Sequence, residues 1–188
     1  MRGYAGRVSS LWQAYPVAMA VTLVAIRHAK SDWSTPITDR DRPLGRRGRK
    51  QAPASGRWIE RNVGPLDLAV VSVAARAEQT WALVAAELSD QVETRLSEAA
   101  YTFDGAGLLE IVAALPSDAR TVALVSHNPA VEDLVEMLTG EWVPMPTSAV
   151  AVVELSAWAV AGAEQGRLAA AGRPADNRWS AGDIGKRV

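Results

Sequence analysis

The sequence predicts an α/β fold, a three-layer α/β/α sandwich around a mostly parallel central sheet. Short runs rich in Val, Ile, Leu and Ala recur at residues 21–26, 68–73, 121–126 and 149–155. Their length and unbroken apolar character are those of strands buried on both faces. Segments with apolar residues at helical spacing separate most of them. Alternating strands and helices of this kind place helices on both faces of a parallel sheet. The 188 residues show no internal repeat and no break in composition, so one domain with tails is expected.

The elements follow in order. Residues 21–26 form the first strand, and a polar loop with Pro36, Asp39, Asp41 and Pro43 leaves it. Residues 45–62 read as a helix whose first half is weakened by Gly48 and Pro53. Residues 68–73 form the second strand. The helix at 74–88 carries Ala77, Trp81, Val84 and Leu88 on one face. A weaker strand is expected at 92–96, then a loop around Asp104, Gly105 and Gly107, then a helix at 108–115 closed by Pro116. Residues 121–126 form the clearest later strand. In the helix that follows, Asn128 is placed to cap, Pro129 to take the first helical position and Gly140 to end it. Its apolar face is Val131, Leu134, Val135 and Leu138. A strong strand covers 149–155, and a hairpin strand lies near 167–170. The expected domain spans 21–172, with flexible tails at 1–20 and 173–188.

Residues 1–20 contain Arg2 and Arg7, no acidic residue, and Ala18-Met19-Ala20, which is shaped like a signal-peptidase site. Gln13, Tyr15 and Pro16 interrupt the apolar core a signal peptide needs, so a tail, or a start placed ahead of Met19, is the preferred reading. The formal net charge of -1 marks no nucleic-acid or membrane partner. No stretch is long and apolar enough to cross a bilayer. Cysteine is absent, which removes disulfides, thiolate nucleophiles and cysteine zinc sites and fits a cytoplasmic location.

Chemistry concentrates at strand ends, where open α/β sheets bind their ligands. The chain has two histidines, and each follows a strand: His28 in Arg27-His28-Ala29-Lys30, and His127 in Ser126-His127-Asn128-Pro129. A neutral imidazole is a competent nucleophile toward phosphorus. It needs the phosphate's negative charge offset, and the guanidinium fork does this. Arg27 stands beside His28, and Arg76 falls in the first turn of a helix, where an anion is favoured. Arg42, in Asp41-Arg42-Pro43-Leu44, lies in the loop after the first strand, within reach of the same pocket. Each alone has an ordinary structural explanation: a hydrogen-bonded loop histidine, or a surface arginine paired with a carboxylate.

Together these pieces resemble the histidine phosphatase superfamily, and within it the short bacterial branch of SixA-like phosphohistidine phosphatases. The matching segments are Arg27-His28-Ala29-Lys30, Arg42-Pro43-Leu44 with Arg46-Arg47-Gly48, Arg76-Ala77-Glu78-Gln79-Thr80, Ser126-His127-Asn128-Pro129 and Pro146-Thr147-Ser148-Ala149, spread over residues 21–156. The resemblance implies a phosphoglycerate-mutase-like fold. It implies that His28 is the nucleophile that becomes phosphorylated, that Arg27 and Arg76 clamp the phosphoryl oxygens, and that His127 completes the pocket. It implies that Arg42 adds a further phosphate contact, and that no metal or other cofactor takes part.

Ala29 replaces the glycine of many members. Glu98 stands where many relatives carry a general acid, with Asp32 a weaker candidate and an ordinary loop carboxylate the competing explanation. The implied reaction is metal-independent hydrolysis of a phosphorylated substrate, foremost phosphohistidine on a protein, because the chain between Leu88 and Leu108 is too short for a covering insertion. A phosphomonoesterase for a small metabolite or nucleotide, and a phosphate-binding module without turnover, are the alternatives. Activity is expected to fall through the ordinary imidazole range as His28 takes up a proton.

Overall fold

The structure, a computed structural model, describes residues 21–34 and 36–176 and the backbone of 178–181. The expected tail at 1–20, and the part of the other tail beyond residue 181, lie outside the described residues. The elements run β1 (Val21–Arg27), α1 (Arg46–Asn62), β2 (Leu68–Ser72), α2 (Ala75–Ala85), β3 (Glu93–Ser97), α3 (Gly105–Ala113), β4 (Thr121–Ser126), α4 (Ala130–Thr139), β5 (Val150–Leu155), β6 (Arg167–Arg173) and β7 (Arg178–Ala181). They build a seven-stranded sheet in the order β3-β2-β4-β1-β5-β6-β7. From β3 to β1 every pairing is parallel, and from β1 to β7 every pairing is antiparallel. The parallel character expected of the sheet therefore belongs to the half that carries the histidines.

Strand alternation sorts side chains into two cores. Leu23 and Ala25 of β1 join Leu124, Leu108, Leu134 and Leu138 on the α3/α4 side. Val24 and Ile26 join Val71, Ile59, Trp81 and Val84 on the α1/α2 side. Each such aliphatic side chain contributes about 1.5–3 kcal/mol by leaving water. Two cores with the sheet between them make the three layers.

Four differences from the sequence reading have physical reasons. First, α3 begins at Gly105, inside the expected loop, because Asp104 caps it by accepting from the Ala106 N–H at 3.1 Å. Gly105 serves close packing instead of a turn: a Cβ there would lie 2.5 Å from Cβ of Asp133 on α4. Second, Asn128 does not cap α4. Its amide donates to the Met145 carbonyl at 3.1 Å, Pro129 takes the cap position and the helix starts at Ala130. Third, α2 is shorter than expected, ending at Ala85. Fourth, β6 runs on to Arg173 and β7 pairs with it, where a loose tail was expected from residue 173. The extra strand satisfies the backbone groups of β6 that would otherwise form an open edge.

Candidate active site

β1 and β4 are adjacent and parallel, in a register that pairs Arg27 with Ser126. The next residue on each strand is a histidine, so the register alone brings the two imidazoles together. The His28 N–H donates to the Ser126 carbonyl at 3.0 Å, and the two ring centroids lie 5.1 Å apart. β2 flanks β4 on its other side and ends at Ser72, whose hydroxyl lies 2.7 Å from His127 Nε2. α2 begins just beyond and buries Arg76 to 1% exposure. Its Nε donates to His28 Nε2 at 3.3 Å.

One contact fixes the tautomer of His28. His28 Nδ1 lies 2.8 Å from the Ala29 carbonyl, which only accepts, so Nδ1 carries the hydrogen and Nε2 keeps its lone pair. His28 is 9% exposed, and its pKa is pushed down to about 3. Burial is the main cause. The bond to Ala29 opposes it, and the charges of Arg76, Arg27 and Arg42 reinforce it. The pKa of His127 is likewise lowered to about 3, first by burial and then by His28 and Arg76. The Ser72 hydroxyl, which bonds His127 Nε2, also accepts from the Ala74 N–H at 3.4 Å. His127 Nδ1 is buried with no partner among the described residues. Arg27 donates to the Met145 carbonyl at 2.8 Å, while its Nε is also buried and unpartnered. Two buried side-chain nitrogens, Arg27 Nε and His127 Nδ1, are thus left without partners among the described residues.

Arg42 is buried, donates to the Ser31 hydroxyl at 2.5 Å, and stacks 3.6 Å from the ring centre of Trp33. The five residues Arg27, His28, Arg42, Arg76 and His127 therefore share one electrostatic environment. Glu98 does not join them. Its side chain is 68% exposed, and Arg40 holds both its oxygens at 2.6 and 3.0 Å. Asp32 is turned onto the Ser34 hydroxyl and N–H, which hold its carboxyl below its ordinary pKa.

The sequence reading assigned no role to four contributors, Asp39, Tyr101, Phe103 and Ser148. Asp39 bonds to Arg42, to Arg76 at 2.8 Å and to the Tyr101 hydroxyl at 2.7 Å. Partial burial opposes its ionisation, yet the hydrogen bonds from Arg42, Tyr101 and Arg76 outweigh that and hold the carboxyl well below the usual carboxylate range. Tyr101 and Phe103 place their rings 5.4 and 5.6 Å from His127. Ser148 adopts φ +65°, a left-handed conformation uncommon for a residue with a Cβ. There its N–H reaches the carbonyls of Arg27 (3.2 Å) and His28 (3.1 Å), fixing the end of β1. Asp39 sits in an Asp/Arg-rich loop where only tertiary contact shows which acid faces inward. The positive φ of Ser148 has no signature in its residue type.

The sequence model of the histidine phosphatase superfamily (branch 1) matches residues 23–120, more than half of the chain. The chain belongs to that superfamily. It is accordingly a phosphatase, a hydrolase, with a SixA-like fold. An uncharacterized protein of Mycobacterium tuberculosis is 31% identical over 113 residues, covering 60% of this chain and 69% of that one. An uncharacterized protein of Mycobacterium leprae is 28% identical over 145 residues, covering 70% and 88%. Among solved structures, the protein histidine phosphatase SixA complexed with tungstate superposes with a TM-score of 0.72 at 25% identity, covering 84% of this chain and all (100%) of that one. A provisionally assigned phosphohistidine phosphatase SixA from Nakamurella multipartitia gives 0.71 at 28% identity, covering 82% and 96%. Among the described residues of this histidine phosphatase, no helix is long and apolar enough to cross a membrane.

Proposed function

We propose that this chain hydrolyses phosphohistidine on proteins, without a metal, through a covalent phosphate on His28. One observation carries the reading. The Ala29 carbonyl fixes the His28 hydrogen on Nδ1, so the lone pair of Nε2 faces Arg76 in a buried, cationic setting. In the first step Nε2 forms a bond to phosphorus as the substrate's P–N bond breaks. Arg27, Arg42, Arg76 and His127 carry the phosphoryl oxygens, so catalysis is mainly positioning and charge stabilisation. Water then attacks the phosphorus on His28, inorganic phosphate leaves, and Nε2 regains its lone pair.

The choice of leaving group rests on the acids. Both oxygens of Glu98 are turned onto Arg40, away from the histidines, and Asp39 is held ionised by Arg42, Tyr101 and Arg76, so neither is placed as an acid for the leaving group. An alkoxide leaving group needs such an acid. A phosphohistidine whose other ring nitrogen is protonated leaves as neutral imidazole and needs none. The short connection from β3 to α3 brings no covering insertion over the site, which suits a substrate carried on a protein. The name of the tungstate-bound neighbour, a protein histidine phosphatase, supports the same substrate class. A cytoplasmic location fits both the substrate and the absence of cysteine.

The test is a side-by-side assay of a phosphohistidine carrier protein and a panel of phosphomonoesters, with acid-sensitive radiolabel measured on the enzyme. The expected result is faster turnover of the carrier and a label that disappears in His28→Ala. Faster turnover of an ester, slowed strongly by Glu98→Gln, would establish the small-metabolite esterase instead. Phosphate binding with neither turnover nor label would leave a binding module.

A further inference from the structure

A cavity of about 340 Å³ opens between the first turns of α1 and the turn Pro174–Asp176, away from the histidines. It is lined by Arg46, Arg47, Lys50, Gln51, Ala175 and Asp176. Its charge is one-sided. Arg46, Arg47 and Lys50 are exposed and form no ion pair among the described residues. The carboxylate on the rim, Asp176, is committed to Arg173. α1 is 17 residues long, is capped by Gly45 without a side-chain bond, and has no acidic residue in its first turn. Its N-terminal N–H groups and dipole therefore add to the positive potential.

A second observation is independent of the helix end. Gln51 is 4% exposed, and its amide oxygen accepts from the Lys30 N–H at 3.3 Å and the Thr147 hydroxyl at 3.4 Å. The Lys30 N–H requires an acceptor, which fixes the amide orientation. The amide nitrogen on this same wall is then buried with no partner among the described residues. A buried donor left unsatisfied costs about 1–3 kcal/mol. Three unpaired cations and a helix N-terminus border one cavity, and Gln51, whose amide donor is unclaimed, forms part of its wall.

We infer that this cavity is a second anion site, taking a phosphate-sized oxyanion beside α1. The anion is either free inorganic phosphate or a second anionic group on the substrate. Gln51 connects the site to the catalytic centre. Lys30 closes the segment Arg27-His28-Ala29-Lys30, and Thr147 precedes Ser148, which holds the carbonyls of Arg27 and His28.

The experiment is titration of the nitrogen-15-labelled protein with inorganic phosphate, following the backbone amides of 46–51 and the Gln51 side-chain NH2. The amides of 27–29 and 126–128 report the catalytic pocket in the same spectra. The expected result is a saturable shift at 46–51 with its own midpoint, weakened at least tenfold in Arg46→Ala/Lys50→Ala while the catalytic-pocket shifts persist. Both residues are exposed, so the double variant keeps its fold. Movement at 27–29 and 126–128 alone, or a 46–51 shift indifferent to the double substitution, would overturn the site and leave the catalytic reading intact. The source of the anion follows from KM values for p-nitrophenyl phosphate and for a bisphosphate. A rise for the bisphosphate alone in the double variant assigns the site to the substrate. Unchanged KM for both, with the phosphate shifts lost, assigns it to free phosphate.

Discussion

At the scale of single residues, the site rests on a neutral imidazole kept among arginines. As the proposed nucleophile, His28 is expected on replacement by Ala to lower turnover by on the order of 10³-fold or more, with circular dichroism unchanged. Arg76→Ala, which removes a buried oxyanion donor, is expected to lower it by about 10²–10³-fold. The pKa of about 3 for His28 changes the expectation from its residue type. Its ring signals in a proton NMR titration are expected to hold the neutral position from pH 8 to pH 5. A midpoint between pH 6 and 7 would contradict the burial and charge argument. Asp39 bonds to Arg42 and Arg76, the groups proposed to hold phosphate, and would compete with it for them. Asp39→Asn is therefore expected to tighten orthovanadate binding by about tenfold, or 1.4 kcal/mol. Weaker binding would show that the carboxylate serves chiefly to orient the two arginines. The clustering of Arg27, His28, Arg76 and His127 was legible in the sequence because each ends, or lies just beyond, a recognisable strand, and that of Arg42 because its loop leaves the first strand. Asp39 was not, since nothing local separates it from Asp41.

At the scale of elements, glycine carries more information than its helix-breaking reputation suggests. Gly48 reads in the sequence as a weak point of α1, yet it is where the helix meets the loop beyond His28. A Cβ there would sit 2.2 Å from the Lys30 carbonyl oxygen. Gly48→Ala must move that backbone, so an overpacking loss of about 1–3 kcal/mol is expected. That is a fall of roughly 2–4 °C in Tm for each kcal/mol, together with reduced turnover. Gly105→Ala meets Asp133 Cβ at 2.5 Å on the far layer and is expected to lower Tm without touching kcat. Equal loss of activity in both variants would show that Gly48 has no special link to the site. β1, β2, β4 and β5 were legible because burial on both faces writes a continuous apolar run. The start of α3 was not, because close packing between helices selects glycine for its missing Cβ, and the sequence offers the same letter for a turn. β7 was missed for another reason: its pairing depends on the open edge of β6, a property of the sheet and not of residues 178–181.

At the scale of the whole molecule, the sheet order places three parallel strand ends side by side, and the fold carries two imidazoles there at an electrostatic disadvantage when charged. Both histidines have pKa values near 3 in the folded protein, against about 6.5 in an unfolded chain. Below pH 6.5 the unfolded chain binds protons that the folded one refuses, so acidification favours unfolding. The stabilisation is fully present above pH 6.5 and is lost as pH falls toward 3. The slope is up to roughly 1.4 kcal/mol per pH unit for each histidine, because one pKa unit is worth 1.36 kcal/mol. Thermal unfolding in phosphate-free buffer is therefore expected to show a Tm that is level from pH 8 to 7 and declines steadily from pH 6.5 to 4.5. His28→Gln removes one of the two groups and is expected to flatten that decline by about half. Orthovanadate in the pocket supplies the negative charge that a protonated histidine lacks, so it is expected to raise Tm and to flatten the same decline. A Tm that stays level to pH 4.5 in the ligand-free wild type would mean that the imidazoles are hydrated. The buried, cation-lined pocket from which the nucleophile draws its character would then be absent in solution.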